Sequence, residues 1–519
     1  PSTPQSALER LTALLPRITP EAVLAALKRE ALPLRDPLLR FQGRNAPVGG
    51  APALRAAWND AMGTHLTQAS AAAAAAAGFA YSDFGPLGQV VSDTREPLLG
   101  TRELRFANGV RLNLKQTDLE QGRVMIQLSV DGGDMLDTRS NPLATEMVSA
   151  LAAGGLGKHS QDELQSLLAG HSIGVGLAST PLTFVSVAQT TPRDLELQLD
   201  VLAATITDPG YRPEGEAEYR LGINNFFDQI RATPGSTLRT AIGGILSDND
   251  PRFTLQKPQD YRALTYARLK RDIGDRLARG AIEIGIVGDI PEDQAIGLVA
   301  KTFGALPPRE PEFRPYTEQR ANRPFTEDHS RRVLLHTGPA DQALVRFTWR
   351  TRDDSDPQAR QVFNMLDRVV QIALTEGLRE KLGKAYSPSA SSDLSRFWHG
   401  YGTFAITASV ESHDVAATRA AILETVRALR ETPPSPDVFL RARAPLLESF
   451  ANALKSNRGW LGLVDRAQSE PEKIERQVHA ADRLLTVTPA DVQAAARRYL
   501  TDAAAVVVDV LPEGMDAPP

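Results

Sequence analysis

Two residues of complementary chemistry stand close together late in this 519-residue chain. Arg379 and Tyr386 lie in the run Leu378-Arg379-Glu380-Lys381-Leu382-Gly383-Lys384-Ala385-Tyr386-Ser387. Arginine is a fixed charge with several donors, and tyrosine offers one hydroxyl. Aimed together at a peptide carbonyl or a developing oxyanion, they would stabilise charge that grows in the transition state, a contribution of roughly 3–4 kcal/mol per donor. The plainer alternative is an arginine at a helix end pairing Glu376 or Glu380, with a tyrosine packed into a core. The local pattern fits either use. A long amphipathic helix from about Pro357 to Leu382 runs into Gly383, and a strand should leave from about Lys384.

Other chemistry is scarce. The chain has no cysteine, which excludes disulfides, cysteine nucleophiles and thiolate metal sites. Its eight histidines never stand four residues apart, so no helix can grip a metal ion between two of them. Neither a G-x-S-x-G elbow nor a complete phosphate loop is present. The net charge of −5 gives no electrostatic case for nucleic acid. No run of about twenty apolar residues supplies a membrane span.

A chain of 519 residues exceeds a single core, and 42% hydrophobic with 23% charged residues is ordinary for a globular protein. One chain ending recurs three times. Ile18-Thr19-Pro20, Leu264-Thr265-Tyr266 and Val487-Thr488-Pro489 each place Thr as N-cap of a helix, with a further apolar position at Leu27, Ile273 and Ala496. Strands should follow at Ala281–Gly288 and Ala504–Val510, with Pro37–Phe41 a weaker candidate. The repeat divides the chain into a tail over 1–45 (the last helix and strand of a preceding repeat), a linker over 46–95 containing the alanine run 71–77, a domain over 96–306, a Pro-rich linker over 307–329, and a second domain over 330–519. Within the first domain the Asn108-Gly109 turn predicts a hairpin over Arg105–Leu114. Val124–Val130 reads as a strand, and Met147–Leu151 and Leu195–Leu202 as helical. In the second, strands are expected near Val333–Leu335, Leu344–Phe347 and Gly402–Val410. The expected class is α+β, two homologous domains, each a mostly antiparallel sheet with helices packed on one face.

The Leu-Arg-Glu-Lys-Leu-Gly-x-Ala-Tyr-Ser run, the Phe106-Ala107-Asn108-Gly109-Val110 hairpin and the Gly155-x-Gly157-Lys158-His159-Ser160 turn together resemble the pitrilysin-like (insulinase, inverzincin) zinc metallopeptidase family. The resemblance covers residues from about 100 onward. It implies a half clam-shell and gives Arg379 and Tyr386 the role of holding the substrate peptide beside a zinc ion. The family's active unit carries H-x-x-E-H, two histidines one turn apart with a glutamate that acts as base for the bound water. Counting back from Gly155, those positions fall here on Glu146, Ser149 and Ala150 at first, fourth and fifth place. The first and fifth places are thus not histidine, and the base position is serine. The expectation is therefore a C-terminal, zinc-motif-less half of a long single-chain member. It binds no cofactor, is inactive alone, and partners a zinc-bearing homologous half from the same precursor or a separate subunit. A peptide or small protein is the implied substrate. A non-proteolytic scaffold of the same fold is the alternative. Ile173–Ser179 matches the family's edge strand but lacks its Asn-Ala signature. The chain opens Pro1-Ser2-Thr3-Pro4 without Met or leader, as a mature form or cut product would, and family habit suggests the periplasm, with the cytoplasm as alternative.

Overall fold

The computed structural model describes residues 3–30, 37–42, 46–64, 78–382 and 388–518, without the side chains of 380–382. It separates into two compact units, residues 1–70 and 71–519. In the first, helices span Pro4–Leu14, Pro20–Glu30 and Gly50–Gly63. Thr19 caps the second of these, its hydroxyl accepting from the Ala22 amide at 3.2 Å. Residues 37–42 form no strand, and no other strand stands among the described residues of that unit to pair with them. The alanine run 71–77 lies outside the described residues.

The second unit contains two sheets. The first is built from β1 (Val90–Arg95), β2 (Arg102–Phe106), β3 (Arg111–Gln116), β4 (Val124–Asp131), β5 (Ala178–Ser179), β6 (Thr183–Thr190) and β7 (Ile282–Gly288). Its spatial order is β1-β2-β3-β7-β4-β6-β5. The second contains β8 (Arg332–His336), β9 (Gln342–Thr351), β10 (Ser389–Leu394), β11 (Gly402–Glu411) and β12 (Val506–Pro512), in the order β10-β11-β9-β12-β8. Aligning β8 with β3, β9 with β4, β10 with β5, β11 with β6 and β12 with β7 makes the two orders identical, and β1 and β2 are an addition at one edge. Even the single parallel pair repeats, β3 with β7 and β8 with β12. The molecule is α+β, with two half-clam-shell domains of one topology.

Local chemistry explains the recurrent parts. Gly109 sits at φ +94°, closing the Asn108-Gly109 turn between β2 and β3. Thr265 caps the helix Tyr266–Arg279 that leads into β7, and Thr488 caps Pro489–Tyr499 ahead of β12. The helix Pro357–Leu382 buries Val369, Val370, Leu374 and Leu378 on one stripe. Each sheet carries its own domain's helices on one face: Leu195–Thr207 and Tyr266–Arg279 on the first, Pro357–Leu382, Val415–Glu431 and Pro489–Tyr499 on the second.

The remaining faces are covered reciprocally. The helix Pro234–Leu246 of the first domain lays Leu238, Ile242 and Ile245 against Leu344, Val508 and Val510 of the second sheet. In return, Asn457–Val464 of the second domain packs Leu461 and Val464 on Met125 and Val287 of the first sheet. This exchange explains why every residue of β7 is buried and why Gly285 stands mid-strand. A Cβ there would lie 3.1 Å from Val464 Cγ2 and 3.3 Å from the Asp465 amide.

Two stretches read as linkers from composition carry ordered structure. Residues 46–95 include the helix Gly50–Gly63 and β1, which is hydrogen-bonded to β2. Residues 307–329 include the short helix Thr317–Arg320. They also bury Arg309, Tyr316 and Phe325, and Tyr316 donates to Asp131 Oδ2 at 3.1 Å.

Candidate functional site

Arg379 occupies the last turn of the helix Pro357–Leu382. The buried stripe ends at Leu378, and Arg379, one step further round, is exposed. A cation here also complements the helix dipole. Of the two carboxylates the plainer alternative offered, Glu376 is engaged elsewhere, accepting from Arg441 Nη1 at 2.9 Å, and the Glu380 side chain lies outside the described residues. Tyr386 also lies outside them.

From Pro388 onward the path into β10 is fixed from the same helix. Gln371 Nε2 donates to the Pro388 carbonyl at 2.6 Å, and Gln371 Oε1 accepts from the Ala390 amide at 2.9 Å. One turn earlier, Asp367 Oδ2 accepts from the Ser392 hydroxyl at 2.9 Å. Burial raises the Asp367 carboxyl to about 7. Both residues hold the start of β10 beside the helix that bears Arg379. The sequence reading passed over them; their one signal is the i, i+4 spacing that puts them on a common helical side.

At the degenerate zinc frame, the helical segment expected over Met147–Leu151 is a 3-10 helix spanning Glu146–Gly154. With three residues per turn, positions four apart are rotated by ~120° and do not stack. Thus Glu146 and Ala150 could not share an ion even if both were ligands. Ala150 has no donor atom, and Ser149 is exposed. Glu146 is half-buried and accepts from the Tyr219 hydroxyl at 3.3 Å. Its carboxyl is pushed up by burial, a shift the Tyr219 hydrogen bond opposes and the nearby Asp134 reinforces. These residues do not fit a zinc ion. Among the described residues, the group whose ligand atoms come close enough for a metal is Glu411, His413 and Asp414, which stands at the start of the helix Val415–Glu431, well apart in sequence from this frame.

The turn Gly155–Ser160 does enter a helix, and Ser160 and Glu163 form the expected capping box. His159 is buried on that turn, its Nε2 accepting from the Ala80 amide at 2.9 Å. The edge stretch Ile173–Ser179 forms a strand only at β5, Ala178–Ser179. Upstream, the Gln198 side-chain amide takes both polar groups of Gly174, at 2.7 Å from its amide and 2.8 Å from its carbonyl.

Residues 263–446 match the family model described as the peptidase M16 inactive domain. Chloroplastic stromal processing peptidases are similar over 71% of the chain: that of Oryza sativa subsp. indica at 21% identity and that of Pisum sativum at 22%. The chain spans about a third of the length of these curated relatives, 33%. Among solved structures, the periplasmic protease PqqL from Escherichia coli superposes with a TM-score of 0.67 at 16% identity, covering 96% of this chain and 51% of that one. A peptidase M16 inactive domain from Pseudomonas fluorescens gives 0.68 at 16%, covering 80% of this chain and 100% of that one. The ferredoxin protease FusC, in complex with Arabidopsis ferredoxin, gives 0.66 at 13%, covering 95% and 50%. The strand order and the match over residues 263–446 agree: the chain carries a stretch that matches the peptidase M16 inactive domain, on a fold shared with M16-type proteases.

Proposed function

We propose that this chain is the non-catalytic half of a zinc-dependent endopeptidase, with repeats over 96–306 and 330–519. It closes over a zinc-bearing homologous half, which holds the metal, and presents Arg379 and Tyr386 to the substrate peptide. The observation that carries this reading is the exposed Arg379 at the end of its helix, inside the inactive-domain match, in a chain whose own zinc frame offers only Glu146. The superpositions that cover 51% of PqqL and 50% of FusC support a second half, in the same precursor or as a separate subunit. FusC in complex with ferredoxin supports a peptide or small protein as substrate class. A periplasmic location rests on the likeness to PqqL; no helix among the described residues is long and apolar enough to cross a membrane.

The test is peptide cleavage by the chain alone and with its zinc-bearing half. Alone it should be inactive. In the assembly, Arg379→Ala and Tyr386→Phe should each lower kcat/KM by about 100-fold. Unchanged cleavage in both variants refutes the substrate-holding role. No activity in any assembly selects the scaffold alternative.

A further inference from the structure

A solvent-open pocket of about 480 Å³ lies along the helix Tyr266–Arg279, within the size range of small-ligand sites. Its walls are largely apolar, with Phe84, Ile206, Tyr211, Leu277 and Leu306 among them. Into this wall the Pro-rich stretch 307–329 sets Arg309, only 7% exposed. Its backbone amide is fixed on the Asn108 carbonyl at 2.7 Å, and its Nη1 on the Leu277 carbonyl at 2.5 Å. The guanidinium makes no ion pair with any described residue, and its Nε has no hydrogen-bond partner.

That arrangement is costly unless something answers it. A buried cation is normally paired, and burial lowers the Arg309 guanidinium to about 10, still charged at neutral pH. Lys270 brings a second cation to the same pocket, its ammonium 5.4 Å from the Tyr211 ring. The one carboxylate in the lining, Asp208, is turned elsewhere. It accepts from the Tyr81 hydroxyl at 2.7 Å, and its Oδ2 would lie 2.2 Å from a Cβ on Gly157.

We propose that this pocket binds a carboxylate carried on an apolar body, the acid on Arg309 and the body against the Phe84, Tyr211 and Leu277 wall. A free apolar acid and the C-terminal residue of a peptide share that chemistry. A charge-assisted hydrogen bond from the guanidinium to the carboxylate supplies the polar recognition, and burial of the apolar body supplies the remainder.

The test is isothermal titration calorimetry on the full chain with four probes: octanoate, N-acetyl-L-leucine, octan-1-ol and N-acetyl-L-leucinamide. One of the two acids should bind saturably, and about tenfold or more tighter than its uncharged counterpart. Octanoate as the tighter acid marks a free acid as the source; N-acetyl-L-leucine marks a chain end. Arg309→Gln should weaken the acid about tenfold or more. Because Arg309 also braces Leu277, the independent variant is Gly274→Leu, which fills the pocket. A Cβ at Gly274 meets only Lys270 Cγ at 3.9 Å, so the helix tolerates it. Equal binding of acid and uncharged probe, no saturable binding of either acid, or unchanged acid binding by Gly274→Leu overturns the proposal.

Discussion

The hydroxyl of Tyr219 donates to Glu146 Oε1 at 3.3 Å, tying the helix Pro213–Gln229 to the 3-10 segment Glu146–Gly154. Tyr219→Phe removes the donor and leaves a half-buried carboxylate less well solvated. The expected loss is about 1 kcal/mol in urea unfolding at neutral pH, with a further rise in the Glu146 pKa.

Histidines alone should not restore the metal. The double variant Glu146→His with Ala150→His recreates the outer residues of the motif on a 3-10 segment, where they diverge. The expected outcome is no stoichiometric zinc by elemental analysis. Stoichiometric zinc would mean that the segment rewinds readily into an α-helix.

Asp367 gives the fold a definite pH response. Its folded pKa of about 7 exceeds the ordinary 3.8 because burial disfavours the charged form. Between those values the folded state holds a proton that the unfolded state has released. The stabilisation is therefore complete below about 4 and is lost as pH rises through about 7. Asp137, also raised to about 7 by burial and by Asp134, acts in the same direction. Asp367→Asn should flatten its share and raise stability by a few kcal/mol at pH above 7. Equilibrium unfolding of both proteins across this range checks the slope. A variant whose advantage shrinks as pH rises would contradict the sign.

Glu283 is fully buried under the exchanged helix. It accepts from Asn113 Nδ2 at 2.6 Å, from the Gln468 amide at 2.8 Å and from the Ser469 hydroxyl. Two of these donors come from the other domain. Glu283→Ala strands them and should cost about 3–5 kcal/mol. Gly285→Val, one register step along the same face, should act by steric wedging against Val464 and cost about 1–3 kcal/mol. Both variants should speed proteolysis near Asn457–Val464, whereas Arg379→Ala, at an exposed position, should leave stability within about 0.5 kcal/mol of the parent.

Much of the framework was legible because short-range chemistry set it. The Asn108-Gly109 turn, the Thr265 and Thr488 caps and the helix Pro357–Leu382 are all decided by neighbours within a few residues. What escaped was decided at long range. The strand β1 reads as the end of the 46–95 linker until β2 is beside it. The Pro-rich stretch reads as a spacer until Asp131 and the first sheet receive Tyr316 and Arg309. Glu146 pairs with Tyr219, a partner 73 residues away in the chain. Gln371 and Asp367 matter through Pro388, Ala390 and Ser392, partners no local pattern announces.

The traded helices have a consequence for motion. Neither sheet can lose its neighbour without baring an apolar face, so the two domains should open to hydrogen exchange together as one foldon. Pulling them apart would strip Leu238 from Leu344 and Val464 from Val287 at once, which leaves little room for a soft hinge between the sheets. If such a body admits and releases a bulky guest, the moving joint must lie at its outer boundary, and the body itself should travel as a stiff lever.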